Sequence, residues 1–149
     1  MNAIWGPKVW YILHRLSFYS NRKDVCAAWK TFLRLLSETI PCALCRNHMR
    51  EYMIANSLVF KPTDDNNKIR STIVEWLYNF HNHVNRSLKK EEYPYDLLEL
   101  TYGQGTFGQA VRDAKSQFTE LEVDWNGVYI RNFKMAFNYL CGLIGGGPF

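Results

Sequence analysis

The sequence predicts an all-α fold, a bundle of helices joined by loops. Three observations predict it. Apolar residues recur three and four apart through most of the 149 residues, which places them on one face of a helix. No run alternates with period two for long enough to make a strand. Pro41, Pro94, Gly103 and Gly105 stand at boundaries between the periodic segments.

The first helix is predicted over residues 7–19. Pro7 suits a first turn, where its missing N–H has no partner to lose, and Val9, Leu13 and Leu16 share a face. Asp24 is placed to cap a second helix, in which Trp29, Phe32, Leu33, Leu36 and Ile40 form an apolar stripe. Pro41 stops it or starts the next, and a third helix over residues 42–55 carries Cys42 and Cys45 in its first turn. Residues 62–67 read as a polar loop. The fourth helix, 67–88, has Ile69, Ile73, Trp76, Leu77, Phe80, Val84 and Leu88 along one side, and Tyr93-Pro94 breaks the pattern. Residues 96–100 read as a short helix, Gly103 and Gly105 as a loop, and 107–118 as another helix. The last helix holds Val128, Phe133, Ala136, Phe137, Leu140 and Ile144, with Asp124 as its expected cap. The run Gly145-Gly146-Gly147-Pro148 reads as a loose tail.

Length and composition fit one globular domain, or a domain with an appendage, with 47% hydrophobic and 15% aromatic residues. The net charge of +4 is dispersed; Lys89-Lys90 is followed at once by Glu91-Glu92. That pattern describes a solvated face and argues against nucleic acid as a partner. The N-terminal segment is interrupted by Lys8, His14 and Arg15, unlike a signal peptide. No stretch approaches the roughly 18 apolar residues that span a bilayer, so no membrane partner is expected. Four cysteines are too few for a secreted disulfide scaffold. A reducing compartment is the expected setting, and there a Cys-x-x-Cys pair is metal-binding or catalytic rather than structural.

Cys42 and Cys45 are that pair. Their spacing allows a disulfide, and a helix N-terminus stabilises a thiolate through its free N–H groups and dipole. Arg46 adds positive charge. Redox chemistry suits the position. A thioredoxin-like site normally follows a strand, whereas here the preceding segment is helical. The alternative is zinc, with Cys42, Cys45 and two of His48, His81 and His83 as a tetrahedral set in a helical protein-interaction module. From the pair alone both stay open.

Two flanking segments bear on the choice. Upstream, in Trp5-Gly6-Pro7-Lys8-Val9-Trp10-Tyr11-Ile12-Leu13-His14, the residues Trp10 and His14 share a helix face. Downstream, in the segment from His81 to Lys89, His81, Asn85 and Lys89 line one face with Asn82 beside them. Each segment alone reads as a core aromatic with a satisfied histidine, or as a polar helix face. In this order, around Pro41-Cys42-x-x-Cys45, the three segments resemble the Erv/ALR family of FAD-dependent sulfhydryl oxidases, over about residues 5–90. The Trp5-Gly6-Pro7 start and the reduced cysteine set are most similar to members carried by large cytoplasmic DNA viruses, iridovirus-like ones included.

The resemblance implies a four-helix bundle holding FAD, usually as a homodimer, with extra C-terminal helices here: an oxidase domain over 1–95 and an extension over 96–149 packed on it. It implies that Cys42 receives electrons from dithiol-containing client proteins, that Cys45 lies against the flavin, and that oxygen is the final acceptor, giving hydrogen peroxide. It assigns Trp10, His14, His81, Asn82 and Asn85 to the flavin, with His48 as a further contact in some members; Lys89 is within the same segment and suits a cofactor phosphate. For a viral member the expected setting is the host cytoplasm, with virion association, as a late protein. Flat rings wall a flat cofactor, and asparagine and histidine satisfy its polar edge. Three departures stand out. Where many members have a second disulfide, this chain has Tyr78, with Tyr95 or a neighbour about where the partner lies, so tyrosine packing is expected instead. The separate shuttle cysteine pair is missing. Residues 96–149 have no counterpart and are open to a role in the dimer, in partner binding or in covering the flavin. Cys26 and Cys141 read as buried free thiols, with a shuttle or a mutual disulfide as the alternative.

Overall fold

The computed structural model describes residues 4–145, and among these every regular element is a helix. The helices are α1 (Gly6–Ser17), α2 (Val25–Thr39), α3 (Ala43–Ala55), α4 (Asn66–Ser87), α5 (Tyr95–Tyr102), α6 (Phe107–Asp124) and α7 (Arg131–Gly145). Four helices form the N-terminal bundle and three more follow. α1 packs against α4, α5 and α6, α2 against α3 and α7, and α6 against α7.

The apolar stripes read from the sequence are the buried faces. Trp29, Phe32, Leu33, Leu36 and Ile40 are all buried, as are Val9, Leu13 and Leu16 of α1 and Ile69, Ile73, Leu77 and Phe80 of α4. α6 and α7 join the same core. Phe133 of α7 stacks on Phe32 of α2 at 5.1 Å, and Phe137 stacks on Phe118 of α6 at 4.2 Å. Trp5, at the head of α1, meets Trp125 edge-on at 5.5 Å, just past the end of α6. Stacked and edge-on pairs of this kind add about 0.5–1.5 kcal/mol each beyond their buried area.

Several boundaries differ from the expectation, each for a visible reason. Asp24 precedes α2 but does not cap it. The chain is already turning there, so the N–H groups of Val25 and Cys26 bond to the carbonyls of Arg22 and Lys23, and the Asp24 carboxylate pairs with Arg22 at 3.0 Å. Asp124 does not cap the last helix either. The stripe Ala110, Ala114, Phe118 carries on to Leu121, which extends α6 six residues past the expected end to Asp124 itself. The Asp124 carboxylate then pairs with Lys8 at 2.6 Å. Val128 belongs to the turn between α6 and α7, where Gly127 takes φ +85, rather than to the last helix. Leu88 is exposed at the end of α4, and Lys89 lies beyond that helix with φ +56, off the face it was expected to share with His81 and Asn85. Gly145 ends α7; the rest of the expected tail lies outside the described residues.

Candidate functional site

Cys42 is the N-cap of α3, in an extended conformation, and its Sγ accepts the backbone N–H of Cys45 at 3.2 Å. Sulfur thus occupies the place that a serine or aspartate oxygen usually takes at a helix start. The two cysteines are joined in a disulfide with Cα atoms 5.2 Å apart. Both are half-buried, while Leu44 between them is 68% exposed, so the pair opens toward solvent. The first turn of α3 carries no acidic residue. Arg46 turns back to donate to the carbonyl of Ile40 at 2.7 Å, fixing the approach from α2.

Along α3, Cys45, Met49 and Tyr52 share the inward face by their spacing of four and three. Tyr52 packs on Phe80 at 4.9 Å and edge-on to Trp76 at 5.5 Å. Phe80 in turn lies 5.3 Å from Trp10. The cysteine helix is thereby coupled to a stack of rings between α1 and α4. His81 lies flat on Trp10, centroids 4.0 Å apart and planes 7° from parallel. His14 lies 5.1 Å from His81 and hydrogen-bonds it, Nε2 to Nδ1, at 2.8 Å. Three residues assigned from two distant segments therefore meet in one cluster.

The electrostatics of that cluster are distinctive. His14 is 1% exposed, and burial, with the His81 ring adding to it, holds its pKa down at about 3. Burial first, then nearby positive charge, lowers His81 to about 4. Both rings are neutral at pH 7, so one donates its single N–H to the other. His14 Nδ1 is left buried with no hydrogen-bond partner. A buried ring nitrogen without a partner costs on the order of 1–3 kcal/mol, which a bound group offering the complementary atom removes.

The remaining assigned residues are placed less directly. Asn82 is buried, and its amide grips one backbone: it donates to the Tyr93 carbonyl at 3.2 Å and accepts the Tyr93 N–H at 2.8 Å. Asn85 donates to the Asn82 carbonyl oxygen at 3.3 Å. This clamp, which returns the chain across α4, was not legible in the sequence because an exposed and a bridging asparagine look alike there. His48 and Lys89 are exposed. The Tyr78 and Tyr95 rings meet edge-on at 5.0 Å, and the Tyr78 hydroxyl donates to the Tyr93 carbonyl at 2.9 Å. Tyrosine packing does stand where the sequence placed it.

The zinc alternative finds no ligand set. Cys42 and Cys45 are bonded to each other, His81 is engaged with His14, His83 packs on Tyr52 at 4.9 Å, and no three potential ligands gather among the described residues. Cys26 and Cys141 are both free. Cys141 is buried and its thiol is pushed up to about 12 by burial, the inert packing expected of it; Cys26 is only half-buried. Two further residues at the site went unforeseen. Tyr102 stacks on His14 at 4.9 Å, and the buried Arg15 holds the Tyr102 carbonyl at 2.7 Å. An arginine inside an apolar segment was the available signal. No helix among the described residues is long and apolar enough to cross a membrane.

Comparisons with known proteins agree with this geometry. The model of the Erv1 / Alr family matches residues 7–103. An African swine fever virus protein named FAD-linked sulfhydryl oxidase is 34% identical over 104 residues, covering 67% of this chain and 81% of the relative. A FAD-linked sulfhydryl oxidase of Arabidopsis thaliana is 28% identical over 106 residues, covering 66% of this chain and 50% of the relative. A Frog virus 3 relative is 30% identical over 111 residues, covering 68% of each chain. No solved structure matches the chain.

Proposed function

The chain belongs to the Erv1 / Alr family, and from that premise we propose that Cys42 and Cys45 are its redox-active pair and that Trp10, His14, His48, His81, Asn82, Asn85 and Lys89 serve its flavin. The activity itself is FAD-linked sulfhydryl oxidation: dithiols are substrates and oxygen accepts the electrons. The observation that carries the residue assignment is the closed Cys42–Cys45 disulfide at a helix start coupled through Tyr52 and Phe80 to the Trp10–His81–His14 stack. The residues present fit a flavin. Flat rings line the cluster, and His14 Nδ1 waits buried for a polar partner.

A client thiolate attacks Cys42 Sγ, the S–S bond breaks, and Cys45 leaves as a thiolate at the positive end of α3. The client's second thiol then attacks its own sulfur in the mixed disulfide. Cys42 departs as a thiolate that the Cys45 N–H stabilises, the same contact it accepts in the resting state. The client gains one disulfide, its two thiol protons go to solvent, and Cys42 and Cys45 hold its two electrons as thiolates. Trp10, His14 and His81 would hold FAD, which would supply the two-electron chemistry between the cysteine pair and oxygen, with hydrogen peroxide as the product. Leu44, exposed between the cysteines, offers the client an apolar contact beside the bond it attacks.

The extent of each part is also a proposal: residues 1–95 as the oxidase domain, 96–149 as an extension, two chains as a homodimer, and work in the host cytoplasm with association to virions. The similarity to viral sulfhydryl oxidases supports the viral setting. The test is the visible spectrum of purified protein before and after dithiothreitol under air. A band near roughly 450 nm that bleaches, then recovers as oxygen is consumed, is the expected result. A colourless protein that consumes no oxygen overturns the reading. Sedimentation gives the number of chains.

A further inference from the structure

A groove of about 630 Å³ lies between α2 and α7, outside the ring cluster assigned to the flavin. Leu35 of α2 and Ala136 of α7, both half-buried, form its base, and Met135 and Tyr139 stand over it 60% and 62% exposed. The two helices are antiparallel. Arg22, ahead of α2, donates to the Leu143 carbonyl near the end of α7, whereas Phe133, in the first turn of α7, stacks on Phe32. The first turns of α7 therefore lie toward the end of α2 that leads into Cys42. Along α2 the groove extends from Ala27 to Glu38, about 16 Å at the helical rise. Beyond Glu38 only Thr39, Ile40 and Pro41 intervene before Cys42, a span of at most about 14 Å.

Every turnover brings a client dithiol to the Cys42–Cys45 bond, and the other two cysteines, Cys26 and Cys141, are both free, so neither is half of a shuttle disulfide. The client chain beside its own cysteines must therefore lie on surface within reach of Cys42, and this groove is apolar surface within that reach. The N–H and C=O groups of α2 and α7 are spent inside the helices, so an extended peptide finds no backbone to pair with. A helix satisfies its own backbone and seats its side chains between those of two neighbours. On the α2 wall Arg34 and Glu38 pair with each other at 3.3 Å, which leaves that wall neutral. Recognition there is by apolar area, and the unbranched Met135 adapts to clients of different shape.

We propose that the α2–α7 groove docks the client through a helical segment of about three turns, apolar on one face and next to the dithiol that attacks the Cys42–Cys45 bond. Through α7 the chain beyond residues 7–103, the part that matches the family, serves substrate recognition. The inference rests on the reading of Cys42–Cys45 as the bond that clients attack.

The test gives purified holoprotein two reduced synthetic peptides and follows oxygen uptake. One is a bare Cys-x-x-Cys; the other adds an amphipathic helix of about twelve residues, placed before or after the cysteines in turn. A dye-labelled version of the long peptide with serines for cysteines reports binding by fluorescence anisotropy, apart from any chemistry. In wild-type protein the long peptide is expected to show a KM about tenfold below the short one, the range that one buried apolar side chain carries. Met135→Glu and Tyr139→Glu are expected to erase that advantage and to weaken binding of the serine peptide by about tenfold. Dithiothreitol, too small to use the groove, should turn over as in wild type, and Met135→Leu should keep the preference for the long peptide. Equal KM values for both peptides in wild-type protein overturn the proposal. So does wild-type binding of the serine peptide by the two glutamate variants. If either variant does not fold, Thr31→Glu, exposed on the α2 wall, makes the same test. Glutamate variants that turn a dimer into a monomer on sedimentation, with the KM ratio unchanged, assign the groove to a second copy and overturn it too. Undiminished dithiothreitol turnover in Cys42→Ser removes the reading of the cysteine pair itself, a different failure.

Discussion

His14 and His81 share one hydrogen bond in a place that excludes their charged forms. Their pKa values, about 3 and about 4 against 6.5 in an open chain, set a direction for stability. Below pH 6.5 the unfolded chain binds protons that the folded one refuses, so stability is full above that pH and falls as the medium is acidified toward 4. Each such proton is worth at most about 1.4 kcal/mol per pH unit. Urea midpoints of flavin-stripped protein at pH 7.5, 6 and 5 should fall in that order, and His81→Gln should flatten the series; a flat wild-type series contradicts the burial argument. At the cysteines, Cys45→Ala is expected to abolish dithiothreitol-driven oxygen consumption. Cys26→Ser is expected to leave it within about twofold, because a free, half-buried thiol with no partner cysteine carries no electrons onward. Loss of turnover in Cys26→Ser would revive the shuttle alternative.

Helix ends show what single residues contribute to an element. Asp65 caps α4 by accepting the Lys68 N–H at 2.8 Å, and Thr106 with Gln109 forms a complete capping box on α6. Asp65→Ala should cost about 1 kcal/mol and lower Tm by roughly 2–4 °C for a chain of this size, measured by thermal melting. An unchanged Tm would mean that the α4 N-terminus frays in the native state. The same end signals explain where sequence reading went astray. Asp24 and Asp124 each precede a periodic segment, as caps do, yet one is bypassed by a turn that already satisfies the N–H groups and the other closes the helix before it. A carboxylate's partner is decided by what lies near in space, here Arg22 and Lys8. The stripes inside the helices were legible because their period belongs to the chain itself.

At the scale of the molecule, residues 7–103 match the family, but the core does not stop there. Val9, Leu13 and Phe32 share one cluster with Phe118, Leu121, Phe133 and Phe137. Phe133→Ala removes the ring stacked on Phe32 and should cost about 3–5 kcal/mol, read from urea unfolding. A chain cut after Gly105 should lose cooperative unfolding and bind a hydrophobic dye, since α1 and α2 would bare their faces toward α6 and α7. A cooperative melt from that fragment would show the extension to be dispensable. In the same way Lys8 and Trp5, both in the N-terminal motif, are held by Asp124 and Trp125. The first helix is braced from the far end of the chain.

By itself the sequence determined the helical class, the buried stripes, the cysteine pair and the two segments that flank it. Periodicity, turn residues and cysteine spacing are local properties, written in consecutive residues. Only the tertiary structure decided that His14 and His81 would share a proton, that Asn82 would clamp Tyr93, and that Arg15 would be buried holding Tyr102. These contacts join residues 11 to 87 positions apart. A polar side chain reads the same in sequence whether its partner is water or a distant carbonyl, and only packing removes the water.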